Sequence, residues 1–163
     1  MECWKEEMAK SCDALFKRMW TTPKSEWGEG AWQNEPDYEF FEYQDHKIMI
    51  RRGPVGSFNG YAEVKEGHPW FATDYNDIDI DVHQGLTFGG ILEDGLFYIG
   101  FDTAHYQDYC PIMEFHAKQF KENYGIYSSS FIVKENYKDI DFVRRECISM
   151  VDQIIKSKNP KED

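Results

Sequence analysis

Between Tyr38 and Val64 the residues that favour β-structure come in short runs, one around Phe40 to Tyr43, a second in KIMIRR from Lys47 and a third in GYAEV from Gly60. Runs this short cannot make a long helix. Gly53-Pro54 and Asn59-Gly60 fall between or beside them, and such dipeptides favour turns and hairpins, so an antiparallel meander is expected. Farther on, Ile78, Ile80 and Val82 alternate with Asp77, Asp79, Asp81 and His83, which extends the strand expectation with one apolar and one polar face. Leu96 to Phe101 reads as another strand, and SSSFIVKENY (128–137) as the last.

The two ends carry a different period. Residues 2–20 place Trp4, Met8, Cys12, Leu15, Phe16 and Met19 at helical intervals, and this amphipathic helix stops before Thr21-Thr22-Pro23. At the other end Asp141 is the expected cap of a helix that buries Val143, Cys147, Met150, Val151, Ile154 and Ile155. A further helix, MEFHAKQFKENYG, carries Met113, Phe115 and Phe120 and ends at Gly125. The segment 21–37 mixes Pro and Gly with Trp27 and Trp32 and reads as a loop with aromatic anchors. The expectation is one α+β domain over 1–163, with an N-terminal helix at 1–20, a sheet region at 38–135 and a C-terminal helix at 141–157.

Composition narrows the function. With 17% aromatic residues in 163 the chain is too rich in core formers to be disordered. Thirty acidic against eighteen basic residues give a net charge of -12, so the average field repels phosphate backbones and anionic lipid surfaces. Ordinary nucleic-acid binding and membrane binding are not expected, although an acidic surface can imitate DNA to a basic partner. The four cysteines have no CxxC or zinc-ribbon spacing, and no apolar run approaches the ~20 residues that span a bilayer, which suggests reduced thiols in a cytoplasmic protein.

Residues 67–108 hold the groups that carry chemistry. His68 stands between a glycine and a proline and is expected in a fixed, extended turn. Asp81 and His83 share a strand face, and Asp102, His105 and Asp108 stand three apart, so a helical turn would align them. Imidazole and carboxylate are ligands for zinc, manganese or iron, and a histidine beside an aspartate also suits proton transfer near neutral pH. His68, His83, Asp102 and His105 are therefore the candidate catalytic residues, with His83, Asp102 and His105 as candidate ligands of a divalent metal. Asp74, Tyr75, Thr87, Tyr106 and Asp108 are the candidate ligand-binding residues. Trp70, Phe71, Phe88 and Tyr98 join Tyr75 and Tyr106 as aromatic faces that would suit a nucleobase. His46 and His116 read as ordinary positions, and alternating Asp77 and Asp79 as solvent-facing. No HExxH, Walker glycine loop, GxSxG or paired HxT/HxS motif is present.

The same stretch resembles an uncharacterised family of small proteins encoded by bacteria and their phages. The matching residues are His68-Pro69, Asp74-Tyr75, Val82-His83, Gly85-Leu86-Thr87-Phe88, Gly100-Phe101-Asp102, Ala104-His105 and Asp108. The chain departs at Gln84, where that family tends to have glycine, and at Phe97-Tyr98, where it tends to have tryptophan. The resemblance supports the choice of residues and brings no activity with it. By analogy with small phage proteins it implies action on a host signalling molecule or on a host defence enzyme. Three functions follow as expectations: a hydrolase, metal-dependent in one form, acting on a small phosphorylated or nucleotide-like substrate; a protein that sequesters such a ligand without chemistry; or an acidic inhibitor of another protein.

Overall fold

A computed structural model describes residues 3–125 and 133–158. The helix α1 spans Cys3–Met19. The strands are β1 Tyr38–Tyr43, β2 His46–Arg52, β3 Phe58–Glu63, β4 Phe88–Ile91 and β5 Phe97–Asp102; α2 follows at Pro111–Tyr124 and α3 at Ile140–Ser157. The five strands form one antiparallel sheet in the order β1-β2-β3-β5-β4. This is the expected α+β architecture, a sheet flanked by an N-terminal and a C-terminal amphipathic helix. Among the described residues no helix is long and apolar enough to cross a membrane.

The two-residue period of the strands separates the two faces. Ile48 and Ile50 of β2, Phe58 and Ala62 of β3, and Phe97, Ile99 and Phe101 of β5 pack with Val143, Cys147, Met150, Val151 and Ile154 of α3. The intervening residues Met49, Tyr61 and Tyr98 turn to the other face and pack with Met8 of α1. Both faces are thus covered, which explains why β5 reads as a nearly continuous apolar run. The loop 21–37 docks its anchors as expected: Trp27 and Trp32 are buried with Tyr109 and Ile112.

Several local expectations are corrected. Asn59-Gly60 is not a turn but lies inside β3, paired with Asp102 and Phe101. A Cβ on Gly60 would stand 2.6 Å from Cys147 Sγ, so glycine is there to let α3 approach the sheet. The tight hairpin instead joins β1 and β2 through Gln44 and Asp45, whose φ values of 50° and 61° give the twist that a two-residue loop requires. Residues 78–82 form no strand: Ile78 and Val82 are buried under α3, but the segment joins no ladder. The Gln153 side chain takes the place of a neighbouring strand, donating to Asp81 O and accepting from Asp81 N, each at 2.8 Å.

The cap of α3 is Asp139, which accepts from Phe142 N at 2.8 Å, whereas Asp141 pairs with Arg144. In α2 only Pro111 and Ile112 are buried, and Met113 and Phe120 are exposed. Of the expected last strand, residues 128–132 lie outside the described residues, and Lys134–Asn136 is a short 3-10 turn.

Candidate metal centre

Where β5 ends, the chain is pinned before it turns. Thr103 donates from both its backbone N and its Oγ1 to Phe58 O, at 3.1 and 2.8 Å. Asp102 accepts from Ala104 N at 2.9 Å, the local turn that aspartate favours. His105 and Asp108 then close a reciprocal pair: Asp108 N donates to His105 O at 2.8 Å, and His105 N donates to Asp108 Oδ2 at 3.1 Å. The segment is a tight turn and not the helical turn expected from the three-residue spacing, yet it still sets Asp102, His105 and Asp108 side by side.

His83 reaches this turn from another segment. Val82–Gly85 is a turn in which Gly85 N donates to Val82 O at 2.9 Å, with Gln84 at φ 57° and Gly85 at φ 84°. A positive φ at the third residue of a turn is one that glycine adopts more readily, so Gln84 holds a backbone conformation that side chains disfavour. His83 Nε2 lies 3.0 Å from both oxygens of Asp108. Its ring stands edge-on to Phe142 of α3 and to His105, with centroids at 5.2 and 5.8 Å. Glu146, one helical turn beyond Phe142, lies beside the His83 backbone N–H, and burial raises its carboxyl above the usual range.

One atom each of His83, His105 and Asp108 fall within 4.8 Å of one another. Asp108 is 4% exposed, whereas the two imidazoles are half-buried. His105 Nδ1 is 3.2 Å from Asp102 Oδ1 and 3.6 Å from Asp108 Oδ2, but it is hydrogen-bonded to neither and is buried. A buried imidazole nitrogen with carboxylate oxygens close by and a hydrogen bond to neither has the surroundings that suit a metal-ligand atom. Neighbouring donors around a tetrahedral ion stand roughly 3.3 Å apart at metal–ligand lengths of about 2.0 Å, and the separations of 3.0 and 3.6 Å bracket that value. Two imidazoles and a carboxylate whose ligand atoms all lie within 4.8 Å of one another fit a divalent cation of the zinc or manganese type.

The structure gathers some of the candidates and separates others. Asp108, expected to bind ligand, stands in the metal group, while Asp102 touches it only through His105. His68 belongs elsewhere. Its Nδ1 accepts from Trp70 N at 2.9 Å and its Nε2 lies 2.7 Å from Ile154 O near the end of α3, while His83 packs on Phe142 in the first turn. Twelve residues of helix separate these anchors, about 18 Å of axis. The expected convergence of His68 with His83 and Asp102 is therefore not formed.

Asp74 is exposed and caps its own turn at Asn76 N. Tyr75 packs against Gly89, Thr87 extends the β5 ladder through its backbone, and Tyr106 is 90% exposed on the turn between His105 and Asp108. The aromatic cage is not assembled either: Tyr98 belongs to the cluster with Met8 of α1, Phe88 packs on Tyr61 in the same cluster, and Trp70 packs on His68. Lys138 and Phe142 were not marked by any sequence motif. Lys138 Nζ lies 3.5 Å from Asp108 Oδ1 and 5.7 Å from the centre of the Phe142 ring.

An antiparallel sheet between two helices with two histidines and an aspartate clustered beyond one strand end defines a candidate metalloprotein. No family model, curated protein or solved structure matches the chain.

Proposed function

We propose that this chain is a divalent-metal-dependent hydrolase of small phosphorylated compounds, with His83, His105 and Asp108 as its metal ligands. The observation that carries the reading is the buried His105 Nδ1, which has no hydrogen bond and shares its surroundings with two other donor atoms. A bound ion of this class would supply an acidified water and polarise a phosphoryl oxygen. The chain's own groups divide the remaining tasks. Asp108 and the two imidazoles fix the geometry, and the partly exposed Asp102 beside His105 is placed to accept a proton. Phe142 packs edge-on against His83 and shields that side of its ring from water. With Asp102 and Asp108 in or beside the cluster, Glu146 next to His83 and Lys138 as the neighbouring lysine, the cluster attracts a cation before it attracts an anion, so on an acidic chain substrate binding depends on the metal.

The His83–Asp108 contact also supports a metal-free reading in which Asp108 orients His83 as a general base. That pair alone leaves His105 Nδ1 unsatisfied, at a cost of about 1–3 kcal/mol, which favours the metal.

Isothermal titration with Zn²⁺ and Mn²⁺, together with hydrolysis of p-nitrophenyl phosphate and its diester, tests the proposal. Wild type should bind one ion and turn over one of the esters in a chelator-sensitive manner. His83→Ala, His105→Ala and Asp108→Asn should each weaken the metal by about a hundredfold while remaining folded. Turnover that survives chelator selects the metal-free base, and absence of both metal binding and turnover refutes the hydrolase.

A further inference from the structure

We infer that Lys138 is the residue that receives the phosphate group of the substrate, a role that rests on the metal-dependent reading above. Three contacts hold its ammonium at the edge of the cluster. Nζ donates to Asn136 O at 3.1 Å, stands 3.5 Å from Asp108 Oδ1 and lies 5.7 Å from the centre of the Phe142 ring. The hydrogen bond goes to the carbonyl, whereas the distance to Asp108 is that of a charge neighbour, longer than a good N–H···O bond. Asp108 therefore keeps the oxygen facing His83 and His105 for a metal, and Lys138 need not leave when the ion arrives.

An ammonium has three donors, and this one spends one on Asn136. Its side chain retains 22% of its exposure, so it can present the remaining donors to an incoming oxygen. Phe142 couples the arrangement, because the ring over which Lys138 sits is also the ring against which His83 packs. A cation beside an ion site, anchored through a carbonyl and an aromatic face, suits a ligand that carries several negative oxygens. Phosphate monoesters meet that description, since one oxygen could go to a metal held by His83, His105 and Asp108 while Lys138 donates to another. Neutral esters and amides can accept from such a cation but lack the charge that strengthens the bond.

The test separates metal from phosphate. Zn²⁺ is titrated calorimetrically into wild type, Lys138→Met and Lys138→Arg, and inorganic phosphate is then titrated into each zinc-loaded protein. Thermal melts verify that the variants are folded. Lys138→Met should bind zinc severalfold more tightly, since a neighbouring positive charge is gone, and bind phosphate at least tenfold more weakly. Lys138→Arg should recover most of the phosphate affinity. If wild type takes up no metal, the metal reading fails and takes this role with it. If wild type binds zinc and Lys138→Met binds phosphate as wild type does, the metal reading stands and the role of Lys138 is overturned. Should Lys138→Met prove unfolded, Lys138→Arg and Lys138→Gln carry the same comparison, and equal phosphate binding by wild type and Gln overturns the role.

Discussion

A single imidazole can serve as a structural clamp or as a chemical group, and His68 and His83 illustrate the two fates. His68 is 8% exposed; because its Nδ1 accepts from Trp70 N, its proton must sit on Nε2, which donates to Ile154 O. A second proton on Nδ1 would face the Trp70 N–H, and burial holds the His68 pKa below its usual 6.5. The unfolded chain then binds the proton more readily than the folded one. The contribution of His68 is intact above about pH 6.5 and is lost as the pH falls from there toward the folded value. Thermal melts between pH 5 and 8 should show wild type losing stability below 6.5 more steeply than His68→Gln, and parallel curves would remove His68 as the cause. His83, by contrast, spends its Nε2 on Asp108 at the rim of a cluster, where no backbone partner consumes it.

The contact of α3 with β3 depends on the absence of a side chain. Gly60 lies beneath Cys147 and beside Phe101, and an added Cβ would meet Cys147 Sγ at 2.6 Å and the Phe101 ring at 2.7 Å. Both neighbours are buried, so neither can swing into solvent. Gly60→Ala should cost about 1–3 kcal/mol in urea unfolding. Cys147→Ala in the same chain should return part of that loss, with a coupling of about 1 kcal/mol, and the Phe101 contact should retain the rest. Strict additivity of the two substitutions would show that the helix shifts away instead of clashing. The helix α2 has the opposite character, for it is anchored by Pro111 and Ile112 and leaves Met113, Phe120 and Tyr124 exposed along its length.

At the scale of the molecule the cysteines report on cohesion. Cys12, Cys110 and Cys147 are buried and Cys3 is exposed. Burial raises the buried thiols, Cys12 to about 11, which leaves them almost wholly protonated and unreactive at neutral pH. An aromatic disulfide reagent should therefore label one thiol per chain rapidly, and the other three only as the protein unfolds. Rapid labelling of Cys12 or Cys147, located by peptide mapping, would show that the layer of α1 or α3 opens locally, and rapid labelling of Cys110 that the start of α2 does. Cys12 and Cys147 belong to the two helices that cover opposite sheet faces, so their protection measures both layers at once.

The helices at both ends and the strands around Phe40, Ile50 and Ile99 were legible in the sequence, because an element's period is written in adjacent residues and survives any arrangement of its neighbours. The turn that joins His105 to Asp108 was nearly as legible, since a spacing of three brings such groups together in a tight turn as in a helix. The sequence also determined the aromatic anchors of loop 21–37. Only the tertiary structure decided that Asn59-Gly60 is a contact surface for Cys147, 87 residues farther on, and not a turn. It alone decided that His68 clamps Ile154 while His83 meets Asp108, and that Lys138 stands between Asp108 and Phe142. The physical reason is the same in each case. Which side chains meet across the sheet follows from burying the apolar residues of β2, β3 and β5 beneath α3, a sum over many distant contacts that no local pattern records.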